Sequence, residues 1–258
     1  MDLAEVVALH RGLPPGRLVT PEDGGPPVLW LSDGAAEVDQ WRSLLAEHPR
    51  TGLYPLVLEE LPHGGEEFRP WESGELYPLM MSAARHSDAA TVLESWWGRY
   101  AGTVDDGSFV TAPYGPHWPG LAEGASFTPE AAAKAADDLA AEMFAKGNRR
   151  LGLVAAPSGA DALVTAGWSG PMNYDNDFGL FAAVLADWGR RFGATVVGAG
   201  FAQLWVSVAA PPESVEEALP LAAEVFAFCP DTVWQGADIL EMLAERLLGE
   251  RVWRFWWD

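Results

Sequence analysis

The chain has 258 residues, 49% hydrophobic and 21% charged, which is ordinary globular composition and enough length to bury a core without staples. Its formal net charge is −21, with 19 acidic and 7 basic residues up to Phe127 and 18 and 9 beyond it, so neither part conceals a basic face. Such a field repels phosphate backbones and anionic lipid, which argues against nucleic-acid and membrane binding and leaves a basic protein partner open.

In chain order, VLWLS at 28–32 predicts a strand. Val38, Trp41, Leu44 and Leu45 then recur at helical spacing, and LYPLVLEEL at 53–61 predicts a second strand after the turn at Thr51 and Gly52. Residues 63–75, opening at His63, are rich in Gly and Glu and read as a loop. A helical stripe follows in Val92, Leu93, Trp96 and Trp97. From Gly102 to Gly124 the chain is too dense in Gly, Pro and aromatics for a long element. Thr128, Pro129 and Glu130 open the clearest helix: an N-cap, proline at the first helical position and an acid in the first turn. That helix runs to about Lys146, where Gly147 and Asn148 stop it.

LGLVAAP at 151–157 predicts a buried strand. Phe181, Val184, Leu185, Trp188 and Phe192 share one helical face, and Gly193 ends it. Two strands joined near Gly200 follow, then a capping box at Ser214 and Glu217 that opens another helix, with Pro220 in conflict at its second turn. A last helix at 239–248 leads to VWRFWW, predicted to be a core strand with Trp253, Phe255 and Trp257 on one side. This pattern predicts an α+β fold: a mainly antiparallel sheet with helices packed on one face, preceded by a smaller α/β N-terminal region. The expected division is 1–125 and 126–258.

Catalytic motifs are largely missing. No phosphate-binding loop occurs. Gly198 and Gly200 lack the third glycine of a dinucleotide fingerprint, and Gly167, Trp168, Ser169 and Gly170 only echo a nucleophile elbow. Asn173, Asp175 and Asp177 resemble the start of a calcium loop, but Phe178 stands where glycine belongs and Val184 where a bidentate Glu belongs. Asp177 therefore reads as a helix cap, and no metal or other cofactor is expected. Cys229 is the only cysteine, so no disulfide can form within the chain. It ends an apolar helical stripe, far in sequence from any histidine, and reads as a buried inert thiol. His117, in an aromatic loop, reads as a polar loop residue, and the doublets Glu59–Glu60 and Glu66–Glu67 carry no specific signal. The opening MDLAEVVALHRGL lacks the basic start and apolar run of a secretory signal, and no stretch approaches the roughly 18 apolar residues of a membrane span. The cytoplasm is the expected location. Arg outnumbers Lys 14 to 2, a pattern associated with GC-rich bacterial coding.

The segments ADALVTAGWSGPMN at 160–173, LADWGRRFGATVVGAGF at 185–201, VSVAAPP at 206–212, FAFCPDTVWQG at 226–236 and the closing WRFWWD together resemble an uncharacterised family of bacterial domains, common in actinobacteria, that ends in W-x-F-W-W-D. The resemblance covers roughly the last 110 residues, a size suited to one domain. It implies a domain and no mechanism. Within it Asp231 and Gln235 sit in a loop with no evident structural duty. A binding site is expected where Trp168, Asn173, Asp175, Asp231 and Gln235 meet the closing aromatics, Trp256 among them. The 13 tryptophans, the acidity and the missing catalytic set favour a non-catalytic interaction protein, an immunity or antitoxin-like partner of a basic target. The alternative is an enzyme or small-molecule binder using the loops from Asn173 to Asp177 and from Pro230 to Gln235. Oligomeric state is left open.

Overall fold

The computed structural model describes residues 3–10, 12–61, 67–82, 86–101 and 110–258. His63, Glu66 and the first part of the predicted Gly102–Gly124 segment fall outside the described residues. The strands are β1 (Gly16–Val19), β2 (Leu29–Ser32), β3 (Leu53–Leu58), β4 (Arg150–Ala155), β5 (Thr195–Ala199), β6 (Gln203–Ser207) and β7 (Val252–Trp256). They form one seven-stranded sheet in the order β1-β2-β4-β3-β5-β6-β7. Every neighbouring pair is antiparallel except β3 and β5. The fold is α+β with a mostly antiparallel sheet, as the sequence pattern predicts.

The helices, however, cover both faces of that sheet instead of one. Alternation along the strands sends Tyr54, Leu56, Leu58, Leu204 and Val206 into one core cluster, and Leu53, Val57 and Trp205 into another. The first cluster is closed by α3 (Ala89–Ala101), α5 (Gly159–Ala166), α6 (Phe178–Phe192), α7 (Val215–Phe228) and α8 (Leu240–Leu247). The second lies under α1 (Leu3–Leu9), α2 (Val38–Thr51) and α4 (Pro129–Ala145). β3 is buried at every position, and a strand apolar on both sides needs cover on both.

The expected division after residue 125 runs through this sheet. β4 follows that point in the chain yet lies between β2 and β3, and β3 in turn separates β4 from β5. Residues 126–258 alone would keep β5, β6 and β7 together and leave β4 with no strand beside it. The described residues before Thr128, 110–127, are thus an irregular connection over one sheet.

Local chemistry explains most element ends. Thr128 caps α4 by accepting from the Ala131 N–H, and Ser214 caps α7 by accepting from the Glu217 N–H. Glu217 returns its carboxylate to the Glu213 N–H at 2.9 Å, one residue earlier than a capping box requires. Pro220 stays inside α7: the carbonyl it leaves unbonded belongs to exposed Glu216, where water can take it.

Candidate functional site

Two turns, at residues 171–177 and 229–235, close around the end of β7. Behind them α5 stops at Gly167, whose φ of 77° is left-handed, and the chain turns Trp168 inward. Gly170 lies so close to the Trp168 ring that any Cβ would collide with it. Trp168 is fully buried, donates its indole N–H to the Gly200 carbonyl at 2.8 Å, and packs edge-on against Phe178 and Trp257. It is a core residue that supports the turn from behind.

In front of it the structure brings Asn173, Asp231 and Gln235 together on Asp258. The Asn173 amide donates to the Asp258 carbonyl at 3.0 Å, and the Asp258 N–H donates to Asp231 Oδ2 at 3.0 Å. Gln235 Nε2 lies 3.0 Å from Asp231 Oδ1 and 3.2 Å from Asp258 Oδ2. The Tyr174 hydroxyl completes the set, donating to Asp231 Oδ2 at 2.8 Å. Burial first, and then this bond, push the Tyr174 pKa up, so the hydroxyl keeps its proton and remains a donor. Asp231, only 5% exposed, accepts three hydrogen bonds and is spent on the cluster. Asp175 stands apart: it accepts from the Asp177 N–H and lies 3.7 Å from Arg99. Asp177 caps α6 through the Gly179 N–H and also accepts from the Ser82 N–H, so its carboxylate has helix-cap duty. Among the described residues no group of three or more His, Cys, Asp or Glu is arranged to hold a metal ion.

Trp256 is the aromatic candidate that faces solvent, 39% exposed, and Asn173 and Gln235 are exposed as well. It borders two clefts. One, of about 630 Å³, runs along β7 beneath α8 and the π-helical turn Val233–Ala237. The other, of about 410 Å³, reaches Tyr77, Asn173, Phe201 and Asp258. Trp234, in that turn and 41% exposed, packs edge-on against Tyr100 and Phe226. Sequence reasoning passed over Tyr174, Trp234 and Asp258. Tyr174 is the immediate neighbour of Asn173, the one local hint available. Glu59 was likewise opaque: it is buried, accepts the Trp205 indole N–H at 2.6 Å and pairs with Arg149. His117 is exposed.

Cys229 is fully buried, and burial pushes its thiol well above the usual range. Its Sγ–H donates to the Trp256 carbonyl at 3.1 Å. Alkylation of the native protein should therefore be slow and become fast only on unfolding, as thiol titration with and without denaturant would show. Rapid labelling at neutral pH would reverse the assignment.

A DUF4253 domain, a domain of unknown function, covers residues 150–258. It begins at β4 and carries α5 to α8, β5 to β7 and every residue of the Asp258 cluster. The closing W-x-F-W-W-D stretch and the other segments that carry the family resemblance all lie inside the DUF4253 match. No curated protein and no solved structure matches the chain. No described helix is long and apolar enough to cross a membrane.

Proposed function

We propose that this protein is a non-catalytic, acidic binding partner of a basic protein, of the immunity or antitoxin kind, acting in the cytoplasm. One observation carries the reading. The polar side chains best placed for chemistry are bonded to each other, while Trp234 and Trp256 stand exposed beside them on a chain of net charge −21. Exposed tryptophan next to a cleft suits a protein contact, and the charge steers a basic partner toward it. The small-molecule alternative needs the Asp231 carboxylate free to meet a ligand, and three donors already occupy it.

The test is affinity capture from the source cells, followed by titration calorimetry with the purified partner at several salt concentrations. A basic partner is expected, with affinity that falls as salt rises and drops at least about tenfold in Trp256→Ala. An acidic partner, salt-independent binding, or turnover of a small molecule that Asp231→Asn abolishes would defeat the proposal.

A further inference from the structure

The last strand of the sheet has an open side. The β6–β7 ladder has hydrogen-bonded pairs at Ala202 with Trp257 and Val208 with Arg251, as the Trp257 N–H to Ala202 carbonyl bond and the Val208 N–H to Arg251 carbonyl bond show. By the alternation of antiparallel pairing, Val252, Arg254 and Trp256 then turn their backbone N–H and C=O groups away from β6. Both ends of that outer edge are already satisfied: Glu250 accepts the Val252 N–H, and the Cys229 thiol donates to the Trp256 carbonyl. Between them the Val252 carbonyl, both groups of Arg254 and the Trp256 N–H bond to no described residue. The cleft of about 630 Å³ runs alongside, with Val225, Leu243 and Leu247 as its apolar wall and Trp253 and Phe255 on the strand side.

We propose that this edge takes an extended segment of a basic partner as an eighth strand, its alternate apolar side chains entering the cleft. The inference rests on the binding function above and supplies its site and mode. Charge selects the occupant. A symmetric pairing of two copies would bring together two chains of net charge −21. That repulsion disfavours a second copy, whereas a basic segment relieves the field. The Arg254 guanidinium lies over the Trp205 ring, 4.7 Å from its centroid, so its backbone is left for pairing.

Hydrogen exchange at the Arg254 and Trp256 amides is the readout, and the probe is a short synthetic peptide alternating Lys and Val. A peptide of the same composition in two blocks serves as control. The alternating peptide should slow both amides saturably and the block peptide should not. Arg254→Pro removes the outward N–H without touching the β6 ladder, and should weaken binding at least about tenfold. Arg254→Ala keeps the backbone donor and should bind as the wild type does, with cooperative melts verifying both folds. Unchanged exchange, equal protection by the block peptide, or a dimer in sedimentation whose amides are protected before peptide is added would each overturn the assignment. A captured basic partner that binds Arg254→Pro undiminished would remove the edge as its site while leaving the binding function in place.

Discussion

A chain that ends at Arg251 should fail to hold the native fold, because β7 and the residue after it supply three aromatic side chains to the larger core. Trp253, Phe255 and Trp257 are 3%, 1% and 2% exposed. Phe255 stacks on Trp188 at 5.7 Å and meets Phe228 at 4.7 Å, Trp253 lies edge-on to Trp188 at 5.3 Å, and Trp257 packs on Phe181 at 5.7 Å. Removing one such ring costs about 3–5 kcal/mol, and a whole domain has only about 5–15 to lose. Losing β7 also strips the ladder from β6, which is buried at every position. Far-UV circular dichroism and thermal melts of the truncated chain should show no cooperative transition. A truncated protein that stays monomeric and melts cooperatively would refute this and make the closing segment a binding tail.

The alternation in VWRFWW exposed this strand to sequence reasoning, since a period of two needs no knowledge of its neighbours. α4 was equally legible, because a cap, an N1 proline and an acid lie within three adjacent positions at Thr128, Pro129 and Glu130. Strand order was not. The insertion of β4 between β2 and β3 is set by pairings such as Trp30 with Leu153 and Leu56 with Gly152, and no local pattern encodes them. β1 escaped notice because GRLV is exposed at all but its last position and shows no apolar period. The candidate site failed in a more instructive way. Asp231 and Gln235 drew attention as polar residues without a structural duty, yet their duty is to hold Asp258, 27 and 23 residues further along the chain. A polar side chain in a loop reads as functional when its partner is distant in sequence. Trp168 shows the converse, since a tryptophan between two glycines suits an exposed turn or a core plug equally well. Only the collision awaiting a Cβ at Gly170 reveals the plug.

Breaking the buried ion pair between Glu224 and Arg191 should be the costliest single polar substitution. Glu224, on α7, is fully buried, and its carboxylate accepts both Arg191 terminal nitrogens, at 3.0 and 2.5 Å. The Trp188 indole N–H and the Ala122 N–H also donate to it, at 2.8 and 2.6 Å. Burial drives the Glu224 pKa up, and the Arg191, Trp188 and Ala122 donors oppose it, so the charged form depends on the whole set. Arg191 also donates to the Ala122 carbonyl and to Asp187, and its own carbonyl accepts the Ala125 N–H. The pair thereby fastens the irregular connection before α4 onto α6 and α7. Glu224→Ala leaves Arg191, only 15% exposed at its side chain, short of its main counterion, and the Ala122 N–H and Trp188 indole N–H without acceptors. The expected loss is about 3–5 kcal/mol in urea unfolding, against at most about 1 for an exposed pair. Replacing both partners by methionine should recover much of it, because the desolvation of both charges is then removed along with their attraction. A double-mutant cycle reads the coupling directly. A Glu224→Ala loss below about 1 kcal/mol would mean that water reaches the pair, and that the connection is held by its apolar contacts alone.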